Sequence, residues 1–240
     1  NKTKDTALSI TCRNKMDKVG KLIITRTNGD ALAHINSQGE TPFSLGCETE
    51  RKMLCMEMLQ YPSKCILSNV DNDGYTALQY TTHVNMLPIA NKILDYPSDC
   101  NMLHVGDDIE LPISSFLELY SDYENENSLA ETDSDSDDDH IEEHQQILLS
   151  CREILNKFFA HPSLCGLDHI SDDHSVLNRI CDLHNPNEFV LKLISVQMDT
   201  GINMIGKSTL HHAINNNIHA LIDFIMGNSQ YIYRDYIYRD

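Results

Sequence analysis

The chain has 240 residues, 41% of them hydrophobic, enough to bury a sizeable core. Its formal charge of −18 argues against nucleic acid and anionic membrane surfaces as partners, because both demand clustered Lys and Arg. No apolar run reaches the ~18 residues of a membrane-spanning helix, and no charged-then-apolar leader opens the chain.

The chain begins at Asn1 inside sequence that is already patterned, and reads as a piece of a longer one. Thr6-Ala7-Leu8 starts a phrase that returns as Thr41-Pro42-Phe43, Thr76-Ala77-Leu78 and Leu111-Pro112-Ile113, each 35 residues on. It returns again as Ser175-Val176-Leu177 and Ser208-Thr209-Leu210, after steps of 64 and 33. A second phrase keeps pace: Tyr61-Pro62-Ser63-Lys64-Cys65 recurs as Tyr96-Pro97-Ser98-Asp99-Cys100 and as His161-Pro162-Ser163-Leu164-Cys165, at steps of 35 and 65. Both phrases therefore locate an insert of about 30 residues between Leu111 and Pro162.

Each unit has the same physical grammar. Gly39, Gly74 and Gly206 stand two residues before a Thr or Ser, where glycine suits a tight turn and the hydroxyl can cap a helix. A short helix is predicted next, with Cys12, Cys47, Thr82, Cys181 or Ala213 as a compact contact position. A second helix carries an apolar pair near its end: Ile23-Ile24, Met58-Leu59, Ile93-Leu94, Ile154-Leu155, Leu193-Ile194 and Phe224-Ile225. Pro62, Pro97 and Pro162 follow three of these ends, where a helix cannot continue. No such unit buries its apolar face alone, so a stack of six is expected to share one core.

The insert is strongly acidic. Glu118 to Glu143 holds 12 acidic residues and no Lys or Arg, which leaves −6 over the rest of the chain. Low hydrophobicity and self-repulsion predict disorder over Glu124 to Glu143. Thr132, Ser134 and Ser136 each precede an Asp by three residues, a pattern suited to acidophilic kinases. The segment 120–143 is expected to be either a solubilising loop or, alternatively, a module that captures basic proteins.

The periods of 33 and 35, the G-x-T-x-L starts and the two-helix unit resemble ankyrin repeats over about 200 residues. Ser208-Thr209-Leu210-His211-His212-Ala213 is the nearest match to that family's T-P-L-H-x-A, and Asp71 to Leu78 is nearly as good. The fourth and fifth units are degenerate, because Leu111 replaces the Thr and no Gly stands just before Ser175. The style is similar to ankyrin proteins of large DNA viruses or intracellular bacteria.

The resemblance implies an all-α solenoid of about six helix-turn-helix repeats over 3–227, with the acidic disordered insert at 120–143 in the fourth and a low-complexity tail at 228–240. It implies a non-catalytic scaffold that binds a partner protein on its concave face and turn tips, without cofactor, metal or small-molecule substrate. By position in the repeat, the contact residues are Gln38, Glu40, Asp73, Tyr75, Asp107 and Asp108, with Tyr75 as anchor. His211 is expected to hydrogen-bond to turn backbone. Equivalent cysteines such as Cys65 and Cys100 would lie too far apart for disulfides. Eight reduced thiols suit the cytoplasm, a host's if the protein is viral or a bacterial effector.

Two motifs compete with that reading. Gly201 to Ser208 satisfies the phosphate-binding G-x-x-x-x-G-K-[ST]. Such a loop needs a preceding strand, whereas Phe189 to Ile194 falls by register in a second helix, and only 32 residues follow Ser208. His140-Ile141-Glu142-Glu143-His144 fits the zinc-peptidase pattern H-x-x-E-H. Only Glu153 and Glu188 follow as a further Glu ligand, and the edge of an acidic insert is a poor dry pocket, so a solvated helix start is expected. The doubled tail Tyr-Ile-Tyr-Arg-Asp, 231–235 and 236–240, reads as a tandem duplication.

Overall fold

A computed structural model of the chain describes residues 2–106, 110–130, 138–167, 175–202, 204–205 and 208–228. Twelve α-helices and no strand are present among them, so the described chain is all-helical. Val70 and Thr76 form one isolated bridge inside a turn. The helices follow one another in pairs: α1(Ala7–Arg13) and α2(Asp17–Thr27), α3(Pro42–Glu48) and α4(Lys52–Met58), α5(Ala77–His83) and α6(Leu87–Ile93), α7(Pro112–Ala130) and α8(Asp138–Ala160), α9(Val176–Cys181) and α10(Asn187–Thr200), α11(Thr209–Asn215) and α12(His219–Gly227). Contacts divide the chain into two compact units, Asn1–Ser115 and Phe116–Asp240.

In the first unit the helix starts are fixed locally. Thr6, Thr41 and Thr76 adopt extended backbone, and each hydroxyl accepts the amide three residues on, from Ser9, Ser44 and Gln79. At Thr41 and Thr76 the third residue's side chain reaches back to the cap, closing a capping box. Each pair then reverses through one left-handed residue: Lys15, Glu50 and Asn85, at φ of 57°, 62° and 50°. The amides of Met16, Arg51 and Met86 bond back to the carbonyls of Thr11, Gly46 and Thr81 at 2.9, 2.8 and 2.7 Å. These identical corners align the pairs in two rows, α1 on α3 on α5 and α2 on α4 on α6. Between the rows lie Leu8, Phe43, Leu45, Leu54, Met58, Leu78, Ile89 and Ile93, all buried.

Close approach depends on small residues. A Cβ on Gly20 would sit 2.8 Å from Leu54 Cδ2, so the glycine is the socket for that leucine. Cys12, Cys47, Thr82, Cys181 and Ala213 are buried at their contact positions as the repeat grammar predicts.

In the second unit α9 packs on α11, and α10 on both α8 and α12. Its core is aromatic: Phe116 lies 5.8 Å from Phe158, Phe159 lies 6.0 Å from Phe189, and Tyr120 meets Phe189 edge-on at 5.3 Å.

Here the expectation of disorder over the insert is corrected. α7 continues to Ala130 and α8 begins at Asp138, so residues 120–130 and 138–143 are helical. The reason is an apolar and polar anchor inside the acidic run. Tyr120 is 3% exposed against Phe189, and Glu124, a predicted loop residue, is 7% exposed. Its two carboxylate oxygens accept the amides of His184 and Asn185, at 2.8 and 3.1 Å, in the turn before α10. Thr132, Ser134 and Ser136 lie outside the described residues.

The caps of this unit differ from expectation in both directions. Ser175 caps α9 through Asn178 although no Gly precedes it. Ser208, at the best sequence match, has helical backbone and makes no side-chain cap; its hydroxyl accepts from Asn178 Nδ2 at 2.7 Å instead.

Candidate protein-binding surface

The tips of the first unit are built from a repeated polar turn. Asn36 Oδ1 accepts the amides of Gln38 and Glu40, both at 2.9 Å. Thirty-five residues on, Asp71 Oδ1 accepts those of Asp73 and Tyr75 at 3.0 and 2.9 Å. Gly39 and Gly74 supply the left-handed corner at φ 79° and 86°, and a Cβ on Gly39 would lie 2.9 Å from the Asn72 amide nitrogen. Lys4 takes the same conformation at the same register, at φ 57°, without being a glycine.

Each tip is tied to the next segment by one side chain 30 residues later. His34 Nε2 donates to the Lys4 carbonyl at 2.8 Å, Asn69 Nδ2 to Gly39 at 2.6 Å, and His104 Nε2 to Gly74 at 2.8 Å. Backbone bonds run between successive tips as well, from Ser37 to Thr3 at 2.9 Å and from Asn72 to Gln38 at 3.0 Å. The tips are therefore held in a hydrogen-bonded row.

The six predicted contact residues separate on this framework. Gln38 and Asp73 are exposed, and the Gln38 side-chain oxygen accepts from Arg13 Nη2 at 3.0 Å. Tyr75 is half-buried, stacked on Tyr80 at 5.2 Å and edge-on to His83 at 5.3 Å. Glu40 is a correction: it is 7% exposed, ion-paired with Arg13 and bonded to Asn36 Nδ2 at 2.7 Å, so it braces the turn from inside. Asp107 and Asp108 lie outside the described residues.

Two residues missed in the sequence reading join the surface, Glu48 and His83, exposed at the ends of α3 and α5. Their spacing of 35 was the available signal. Although Glu48 is exposed overall, partial desolvation of its carboxyl, followed by repulsion from Glu40, raises it above its ordinary range; Asp71 and Asp73 add to it, against Arg13. Burial likewise pushes the Tyr80 phenol up, helped by its hydrogen bond to Asp71 Oδ2 at 2.6 Å. Asp5, by contrast, is held below the usual carboxylate range: burial alone would raise it, and hydrogen bonds from Thr3 and Asn36 with the Arg13 charge outweigh that. The surface is thus aromatic at its centre and anionic around it.

Phe189 to Ile194 lies within α10, and Gly201 terminates that helix at φ 71°. Gly206 and Lys207 lie outside the described residues. His144 stands edge-on to Tyr123 at 5.2 Å, its Nε2 3.7 Å from Glu126. Among the described residues, no group of three His, Cys, Asp or Glu side chains could hold a metal ion. In Ser208 to Ala213, His212 carries the polar contact instead of His211, with Nδ1 3.0 Å from Asp182 Oδ1. All eight cysteines are buried as thiols, outside any disulfide.

No family model matches the chain, and no curated protein matches it either. The described residues define a class: an all-helical arrangement of paired helices, packed in two rows within each unit and joined by hydrogen-bonded turns.

Proposed function

We propose that the chain is a non-catalytic scaffold of the ankyrin-repeat type, an array of about six helix pairs that holds a partner protein against α1, α3, α5 and the tips at 36–40 and 71–75. The observation that carries this reading is the row of tips locked at intervals of 35 residues, with Tyr75 stacked and half-buried on the third of them. A surface fixed in advance loses little entropy on binding, and aromatic side chains supply much interface energy. Gln38, Asp73, Tyr75, Glu48 and His83 are the contact residues, and Glu40 supports them from beneath. The eight buried thiols fit a reducing, intracellular setting.

The test is affinity capture with mass spectrometry, using the full chain with Tyr75→Ala and Asp73→Lys beside Met198→Glu, which alters an exposed residue of α10. The bound protein should disappear with the first two substitutions and stay with the third. Retention by Tyr75→Ala with an unchanged circular dichroism spectrum would remove the tip surface from the reading.

A further inference from the structure

Successive tips of the first unit are bridged by a cation at one step and by none at the next. Arg13, at the end of α1, joins the tip at Lys4 to the tip at 36–40: its guanidinium pairs with Asp5 and Glu40 and donates to Gln38 Oε1 at 3.0 Å. Thirty-five residues on, Glu48 stands in the place of Arg13, Asp73 in that of Gln38 and Tyr75 in that of Glu40. The two slots share one frame, because Asn36 and Asp71 build both turns with the same bonds and α3 packs on α5 as α1 packs on α3. Since α1 and α5 flank α3 on its two sides, the second slot belongs to an interior pair. Glu48 and Asp73 are exposed, and neither has an ion pair among the described residues.

Aromatic rings stand in the second slot beside these carboxylates. Tyr75 is half-buried, with Tyr80 stacked on it at 5.2 Å and His83 edge-on at 5.3 Å. Tyr80 donates to Asp71 Oδ2 at 2.6 Å, which ties the stack to the tip. Burial and then Asp71, Glu48 and Asp73 raise the Tyr80 phenol, so the carboxylates and the stack share one site. We infer that the slot between Glu48, Asp73 and Tyr75 takes an arginine side chain of the partner protein, which supplies the guanidinium that Arg13 supplies one pair earlier. A guanidinium is flat, stacks on an aromatic ring and presents a fork of donors to carboxylates. A lysine ammonium is a compact, strongly hydrated charge, so two carboxylates beside a tyrosine ring favour arginine. The inference rests on the tip surface of the proposed function and names the chemistry that this surface recognises.

The experiment is an NMR titration of the full chain with N-acetyl-arginine amide, beside the uncharged citrulline amide of the same shape and N-acetyl-lysine amide. Arginine amide should shift the ring resonances of Tyr75 and Tyr80 saturably, with a Kd on the order of 1 mM. Lysine amide should bind more weakly, and citrulline amide should leave the rings unshifted. Glu48→Gln or Asp73→Asn should weaken the arginine complex at least about fivefold, and Glu48→Arg, which refills the slot from within, should abolish it. All three changes are at exposed positions, and circular dichroism verifies the fold. Equal shifts with citrulline or lysine amide, shifts confined to residues outside the tips, or indifference to Glu48→Gln would overturn the inference. The proposed function fails separately: a captured partner lost on Tyr75→Ala but kept on Glu48→Arg would leave the scaffold standing and remove only the arginine.

Discussion

Residues 2–106 repeat the same contacts at steps of 35: threonine caps at 6, 41 and 76, left-handed corners at 15, 50 and 85, and tip bonds from 34, 69 and 104. Residues 116–228 repeat this only in part: Ser175 caps α9, and Asn217 at φ 55°, with the Ile218 amide on the Ala213 carbonyl at 2.8 Å, makes the same corner between α11 and α12. Their long pair α7–α8 is anchored by Phe116, Phe158 and Tyr120, and the turn before α10 has no left-handed residue; the Glu124 carboxylate binds its amides. Both halves pair their helices, so the comparison teaches that the hairpin is the invariant and the means of closing it is not. Four of the chain's six phenylalanines lie fully buried in the second unit.

The strongest test of that contrast is Phe158→Ala, which should cost about 3–5 kcal/mol by opening a cavity against Phe116. Alkylation of cysteines during a urea titration checks where the loss falls. Burial pushes the thiols of Cys12, Cys65, Cys100, Cys151 and Cys181 up to about 12, so at pH 8 on the order of one in ten thousand is ionised in the folded protein. Labelling therefore reports unfolding. Cys151, Cys165 and Cys181 should react at lower urea in Phe158→Ala than Cys12, Cys47 and Cys55 do; simultaneous labelling of all eight would show that the two units unfold as one.

The same thiols predict a pH dependence. A folded pKa above the unfolded value of about 8.5 means that thiol stabilisation is complete below that pH and is lost as pH rises toward about 12. The urea midpoint should fall across that window, and a flat profile would contradict the burial.

Next in size is Glu124→Ala, which strands two backbone amides and should cost about 2–3 kcal/mol of the second unit's stability. Thr76→Ala should cost about 1 kcal/mol through its lost cap, measured by denaturant midpoint. The smallest effect has the opposite sign. Ile66 sits at φ 49°, where its register partner at 101 is Asn at φ 51°. A β-branched residue is strained there, so Ile66→Asn should gain about 0.5–1 kcal/mol; any loss would mean that the half-buried isoleucine contributes more by packing.

The repeat itself was legible because its signals are local. A threonine before a turn of helix caps that helix wherever it stands, and Thr6, Thr41 and Thr76 announced three helix starts and their period. Small contact residues and the prolines past Met58, Ile93 and Ala160 were readable for the same reason. Part of the candidate surface was legible too, in Gln38, Asp73 and Tyr75.

What only the tertiary structure decided depends on residues 27 to 61 positions away, which no local pattern encodes. Glu40 turns inward because Arg13 lies across from it, while Gln38, two residues earlier, stays out. Glu124 is drawn out of an acidic run because the amides of His184 and Asn185 await a carboxylate. Ser208 leaves its cap for Asn178. Val19 and Leu54 are interchangeable in sequence grammar, yet one is exposed and the other sealed, because burial belongs to the neighbour that covers a side chain and not to the side chain itself.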